Sequence, residues 1–410
     1  MMNNVNEISI CEVCKNTELI SVLNLGKQPL CDDLIPIGSE TRCKEYPTEI
    51  LFCKACSTAH QRFQVDKTYL FPKTYHYRAR LTADVLSGMN DLVENCISSF
   101  GDVKNKKVLD IGCNDGSLLN IFKQKGAITF GIEPTAAANE ATNSHKIINK
   151  FFDEQSSSDF VKMYGSPDYI TFTNVFAHIE NLDELLEALK KLIDQNTVLV
   201  IENHYLGSIL HSNQFDTFYH EHPRSYSYSS FLKISEKLNL KILDLKFPNR
   251  YGGNIRVFLG NKSAEEKIDT TYSNQIIEKE IDFESNFLNM KENLLNWKKS
   301  KLKEISKLRD EYGYIVAKAF PGRASILLKL LELDETVIKE VYEKEGSKKI
   351  GNYVPGTRIP ILPDSELFKS NYSDPILNLA WHIPEEIRSY LNDHKNKSKV
   401  VDIIEQKDFE

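Results

Sequence analysis

From about Phe71 to Gly260, short apolar runs alternate with amphipathic stretches. Lys107-Val-Leu-Asp-Ile-Gly112 reads as a buried strand, Ser117 to Gln124 as a helix, Ile128 to Glu133 and Tyr169 to Asn174 as further strands, and Val198 to Glu202 as another. Strands alternating with helices predict an α/β domain built on a doubly wound parallel sheet, which binds ligands at the carboxyl ends of its strands. Beyond Gly260 a polar stretch leads into a long helical pattern. There Phe283, Phe287, Met290, Leu294, Trp297, Leu302, Ile305 and Leu308 recur near one stripe, as in a packed connecting helix. Gly313 to Ala319 then predicts a strand centred on Tyr314-Ile-Val-Ala317, followed by a loop, a helix through Leu331 and further alternation to Ile387, giving a second α/β domain. The charged segment from His394 onward predicts a solvated tail.

Composition narrows the classes. The 410 residues are 41% hydrophobic, 27% charged and 10% aromatic, enough apolar material for two or three cored domains and too much for a disordered chain. A net charge of −7 without a long basic run argues against nucleic acid or an anionic membrane surface, and favours a small polar ligand. No apolar run reaches the roughly 18 to 20 residues that span a bilayer, and the first ten residues lack a secretory pattern. The expectation is a cytoplasmic protein whose eight cysteines are thiols.

Four of those cysteines fall into two pairs, Cys11-Glu-Val-Cys14 and Cys53-Lys-Ala-Cys56, separated by residues 15 to 52. Two CxxC pairs supply four thiolates for one tetrahedral zinc ion, and a longer intervening loop adds little closure entropy. A ligand set made wholly of thiolates leaves no open position, so the zinc is expected to be structural. Cys31 and Cys43 have no partner at metal-binding spacing and read as packing residues. The predicted organisation is a zinc-binding module over 1–70, a ligand-binding α/β domain over 71–262, a helical linker over 263–310 and a C-terminal α/β domain over 311–410.

The loop Asp110-Ile-Gly112-Cys-Asn114-Asp115-Gly116 joins the first strand of the sheet to its first helix. Its G-x-x-x-G spacing departs from the G-x-G-x-x-G of dinucleotide sites. Asp110 and Asp115 would repel a pyrophosphate but suit an ammonium and a sulfonium cation. Glu133 ends the next strand, 21 residues after Gly112, where a carboxylate accepts ribose hydroxyls. These features select S-adenosylmethionine over a nicotinamide dinucleotide. Asn174 closes a third strand beside the methionine part of that cofactor, and His178 follows it.

Tyr219-His220-Glu221-His222 is the densest run of titratable and hydrogen-bonding side chains, with Phe215-Asp216 before it and Arg224 after. It lies past the strand Val198 to Glu202 and can reach the carboxyl edge of the sheet. Imidazole titrates close enough to neutrality to serve as a base without large tuning. Zinc held by His220 and His222 would need further ligands that the neighbourhood does not supply. Tyr75, His76, Tyr77, Arg78 and Arg80 precede the sheet as either a hinge or a lid.

Together these residues resemble the sugar C-methyltransferase family, whose members methylate a carbon of nucleotide-linked 4-keto-deoxysugars. The similar motifs are Leu25-Gly-Lys-Gln-Pro-Leu30, Asp110 to Gly116, Gly131-Ile-Glu-Pro134, Phe151-Phe152 and Asn174-Val-Phe-Ala-His-Ile179. To these add Phe215-Asp-Thr-Phe-Tyr-His-Glu-His222, Tyr353-Val-Pro-Gly-Thr-Arg-Ile-Pro360 and Leu379-Ala-Trp381. The resemblance implies a zinc-binding module, a Rossmann-like methyltransferase domain and a C-terminal Rossmann-like domain contributing to the substrate cleft. It makes His222 the base that takes a C3 proton, Glu221 and Tyr219 its active-site neighbours, His178 a further active-site histidine, and Tyr77 the active-site tyrosine. Tyr77 or His178 would hydrogen-bond the oxyanion developing at C4. Two departures stand out. The family's His-Gly-Gly-Ser run is here Tyr251-Gly-Gly-Asn254, and its Gly-Ala-Ser-Ala-Lys-Gly-Asn loop is here Ala319-Phe-Pro-Gly-Arg-Ala-Ser325, where Arg323 replaces the lysine as the expected phosphate partner. An O-methyltransferase on a nucleotide-linked sugar, or a non-catalytic relative binding the same ligands, are the competing readings.

Overall fold

The computed structural model describes residues 4–73, 75, 77–81, 83–250, 252–265 and 267–409. His76 and Tyr251 lie outside the described residues. The chain divides into two compact units: the first comprises Met1–Ser21, Leu51–Ser212 and Glu221–Glu284, and the second Val22–Ile50, Asn213–His220 and Ser285–Glu410. Residues 22–50, most of the stretch between the CxxC pairs, are thus part of the second unit, and a unit boundary passes between His220 and Glu221.

The first unit is built on seven strands: β1 (Lys107–Ile111), β2 (Ile128–Ile132), β3 (Lys146–Ile148), β4 (Tyr169–Thr173), β5 (Val198–His204), β6 (Leu240–Lys246) and β7 (Asn254–Asn261). Their spatial order is β6-β7-β5-β4-β1-β2-β3. The first five chain segments pair in parallel, whereas β7 runs antiparallel to both β5 and β6. Continuous apolar runs such as Val-Leu-Asp-Ile are what such a sheet requires, because helices cover both faces. Leu109, Ile111, Ile132, Ile170, Phe172, Leu199 and Ile201 are accordingly buried against α4 (Leu182–Leu192) and α5 (Tyr228–Lys237). Val108 and Val200 pack with α1 (Ala83–Phe100) and α2 (Ser117–Gln124). The strand order reverses between the parallel neighbours β1 and β4, so their carboxyl ends flank the switch point at which such sheets bind ligands.

The second unit carries a five-stranded parallel sheet of β8 (Ile315–Lys318), β9 (Ile338–Glu343), β10 (Ile361–Pro363), β11 (Ile376–Asn378) and β12 (Val400–Asp402), ordered β10-β9-β8-β11-β12. The long helix α6 (Phe283–Tyr312) buries Phe287, Met290, Trp297 and Ile305 on the stripe that its sequence predicts. Lys318, at the end of β8, is buried and ion-paired with the equally buried Asp364 at 2.9 Å. In the altered loop that follows, Ala319 adopts φ = 61°, so the left-handed turn is kept without glycine.

The C-terminal segment corrects the expectation of a solvated tail. β12 pairs in parallel with β11, and Val401, Ile403 and Ile404 are buried. The indole of Trp297 donates to the Ile403 carbonyl at 2.8 Å, and buried Lys301 pairs with Asp408 at 3.3 Å. Charge at the surface of residues 393–399 concealed a short apolar edge strand. Removing residues 395–410 should therefore destabilise the second unit by about 4 kcal/mol or more, from three aliphatic side chains at roughly 1.5 to 3 kcal/mol each. Differential scanning calorimetry of the truncated chain checks this, and an unchanged melting profile would contradict it.

Candidate active site

The candidate cofactor loop follows β1. Gly112 and Gly116 take φ values of 69° and 78°, and a Cβ at Gly112 would stand 2.7 Å from Val175. The loop therefore needs both glycines for its turn and its close packing. Glu133, buried just beyond β2, accepts from the Asn114 backbone N–H at 3.0 Å and from the Thr135 N–H and hydroxyl at 2.9 and 2.6 Å. Asp110 is buried on β1 and accepts from the Thr171 hydroxyl at 2.7 Å. Burial pushes its carboxyl up to about 7. Asp115 serves the protein itself: one oxygen accepts from the Ser117 N–H and hydroxyl at the start of α2, the other from the Arg80 N–H and guanidinium. Asn114 likewise holds the backbone of Tyr77 and Ala79, so residues 77–80 lie along the loop.

Asn174, at φ = 53° past the end of β4, receives a 3.4 Å hydrogen bond from Asn254. Asn254 also donates to Glu202 at 2.8 Å. Glu202 is fully buried and is held as well by Arg256 at 2.7 Å and Arg250 at 3.3 Å. A buried carboxylate requires such partners, and here they tie the ends of β5 and β7 to the asparagine beside the cofactor loop. The departure at position 254 thus has a structural role in this network.

Three imidazoles meet at the carboxyl ends of β4 and β5. His178 lies 4.9 Å from His222, centroid to centroid, and His222 lies 5.3 Å from His204. Phe71 also stacks on His178 at 5.4 Å. His178 Nε2 is buried without a hydrogen-bond partner among the described residues, and burial lowers its pKa to about 4. The Tyr75 hydroxyl donates to Glu221 at 3.3 Å, so Tyr75 touches the predicted catalytic string, and Tyr77 is 41% exposed. His204 was missed from the sequence. Its signal was the i+2 relation to Glu202 at the end of a strand, on the same face of the sheet.

His220 and Tyr219 belong to the second unit. There His220 is buried, lies 3.1 Å from the Thr48 hydroxyl and 3.3 Å from the Tyr46 carbonyl, and has its pKa lowered to about 4 by burial. It is a core histidine, whereas His222 joins the imidazole cluster. In the same unit Arg323 pairs with Asp216 at 3.3 Å, donates to the Thr217 hydroxyl at 3.0 Å and lies over the Trp381 ring. The Trp381 indole donates to the same Asp216 at 3.0 Å. Arg323 Nη2 has no partner among the described residues.

The cysteine pairs form a closed tetrad. Cys11–Cys56 and Cys14–Cys53 sulfurs stand 3.5 Å apart, and all four lie within 4.8 Å of one another. Zinc–sulfur bonds of about 2.3 Å in a tetrahedron set sulfurs about 3.8 Å apart, so the donor set fits zinc. Lys15 and Ser57, the residues after each second cysteine, both take positive φ, the same knuckle turn made twice. His60 Nε2, 3.3 Å from the Cys11 sulfur, and the Thr58 hydroxyl, 3.0 Å from that of Cys56, stand beside the thiolates.

Comparison with known proteins matches three family models in succession. Residues 11–71 match "Putative zinc binding domain", residues 77–245 "Methyltransferase domain" and residues 249–402 "C-methyltransferase C-terminal domain". C-methyltransferase NovU of Streptomyces niveus is 25% identical over 396 residues, covering 94% of this chain and 93% of its own. A ubiquinone biosynthesis O-methyltransferase of Saccharophagus degradans is 28% identical over 112 residues, covering 26% of this chain and 48% of its own. Among solved structures, magnesium protoporphyrin IX methyltransferase from Synechocystis PCC 6803 with bound SAM aligns at 13% identity and TM-score 0.33, over 44% of this chain and 80% of its own. The cofactors are S-adenosylmethionine and zinc. No described helix is long and apolar enough to cross a membrane.

Two outcomes follow from this geometry. Metal analysis should find one zinc per chain, and Cys53→Ser should lower both zinc content and thermal stability; retention of full occupancy would contradict a four-thiolate site. If Asp110 faces the cationic cofactor, binding favours its ionised form. Affinity for S-adenosylmethionine should then rise as pH increases through about 7, with a proton released below that pH. Calorimetry in buffers of different ionisation enthalpy reads that proton, and Asp110→Asn should abolish its release.

Proposed function

On the premise that this is an S-adenosylmethionine-dependent methyltransferase whose chain matches a C-methyltransferase C-terminal domain and a putative zinc-binding domain, we propose that it methylates a carbon of a nucleotide-linked keto-deoxysugar. The observation that carries this reading is the contact of His178 and His222, 4.9 Å apart, past the carboxyl end of β4, the parallel neighbour of the strand that bears the candidate cofactor loop.

A ring C–H is too weakly acidic for imidazole alone. A ketone on the adjacent carbon delocalises the charge into an enolate, so a base and an oxygen-directed donor must act together. His222 takes the C3 proton and becomes an imidazolium. His178 stays neutral near pH 7, since burial holds its pKa at about 4, so His222 gains its charge beside an uncharged ring. With its proton on Nε2, which is buried without a partner among the described residues, His178 donates to the oxygen at C4. Glu221, held by the Tyr75 hydroxyl, keeps its carboxylate next to the base and favours its protonated form. When bound, S-adenosylmethionine supplies the electrophilic methyl group. Asp110, Gly112, Asn114, Gly116, Glu133 and Asn174 would hold it, with Asp115 acting through the shape of the loop. In the second unit Arg323, with Nη2 available, is the proposed phosphate contact, since its planar fork can bind phosphate in two places. Tyr219 and Tyr77 remain proposed active-site side chains.

In heavy water the enzyme should exchange deuterium into C3 of a nucleotide-linked 4-keto sugar. His222→Gln should remove this exchange and lower methylation by about 100-fold or more, with affinity for S-adenosylhomocysteine little changed. Methylated product that retains its C3 hydrogen would overturn carbon attack in favour of an oxygen acceptor.

A further inference from the structure

The reaction just described needs His178 and His222 held ring to ring, although they sit on separate loops 44 residues apart. The group that joins those loops is Arg224, two residues past His222, whose side chain is fully buried. Its Nη1 donates to the Glu180 carbonyl at 2.8 Å and its Nη2 to the Ile179 carbonyl, the two residues that follow His178. Its Nε donates to the Tyr226 hydroxyl at 2.8 Å. The same Nη1 donates to the Glu12 carboxylate at 2.7 Å. Glu12 lies inside the first cysteine pair, and its carboxylate also accepts from the Gln64 amide at 2.8 Å. His60 Nδ1 approaches Glu12 to 3.6 Å while its Nε2 faces the Cys11 sulfur at 3.3 Å. The backbone repeats the linkage: Arg224 pairs across the sheet with His60, and Gln61 N–H donates to the Pro223 carbonyl at 2.8 Å.

We propose that Arg224 is a positioning residue for the methyl transfer, anchored by Glu12 of the zinc knuckle, and that it sets His178 against His222. The zinc module, closed to substrate by its four thiolates, thereby governs the geometry of the proton transfer. This inference rests on His222 as the base. A planar five-donor fork is needed because four acceptors converge from different directions, a demand that a lysine ammonium cannot meet.

Arg224→Lys keeps the charge and loses the fork, and Glu12→Gln keeps the shape and loses the anchoring charge. Both should retain one zinc per chain and bind S-adenosylhomocysteine within about 2-fold of the parent. Both should lower kcat and C3 deuterium exchange by about 10- to 100-fold at nearly unchanged KM, as expected from a misplacement of about 1 Å. In protein labelled with ¹³C-histidine, the ring-to-ring nuclear Overhauser contact of His178 and His222 should weaken in both variants, and also in the parent stripped of zinc by a chelator. Parent-like kcat with an intact ring contact would overturn the proposal, and so would a loss of zinc and cofactor affinity in step with kcat. His222→Gln run alongside separates the two readings: if it turns over normally, the base assignment falls, and the ring contact in Arg224→Lys still decides the positioning role.

Discussion

A guanidinium in a dry interior cannot be left unpaired, and in the first unit that constraint organises the site. Arg224 is fully enclosed, and an uncompensated charge there would be strongly destabilising. Its partners come from the zinc knuckle, from the turn after β4 and from Tyr226. Satisfying one side chain therefore fixes three otherwise independent segments. Glu202 imposes the same logic on β5, where Arg250, Arg256 and Asn254 converge on it.

Burial also sets protonation. The same loss of water that lowers His178 to about 4 raises Asp110 to about 7. Desolvation opposes charge whatever its sign, so the histidine is held in its neutral form and the acid is pushed toward its protonated one. Neither side chain needs an unusual neighbour for this. The sheet supplies the effect by placing both where strands and helices exclude solvent.

In the second unit buried charges are again paired rather than isolated. Lys318 meets Asp364 at the end of β8, and Lys301 meets Asp408 beneath the C-terminal strand. Arg323 shares Asp216 with the Trp381 indole, which keeps its planar group oriented while leaving Nη2 without a partner among the described residues. The polar interior of this unit is specific because each charge has a defined counterpart.

The sequence by itself determined what local patterning can encode. Continuous apolar runs marked β1, β2 and β4, and Ser117–Gln124 was legible to the residue as α2. The CxxC spacing marked the thiolate tetrad, and the glycines at 112 and 116 marked the turn after β1. Only the tertiary structure decided which neighbours in sequence act together. His220 and His222 are two residues apart yet belong to different compact units, one as a core histidine and one in the imidazole cluster. His204, Arg224 and Tyr75 gained their roles from contacts across 18, 212 and 146 positions. The residues after His394 entered a sheet because Val401 and Ile403 found a partner strand and an apolar floor that no local window displays. Periodicity reports the environment of an element along the chain, whereas desolvation and charge pairing depend on what the fold brings to it from elsewhere.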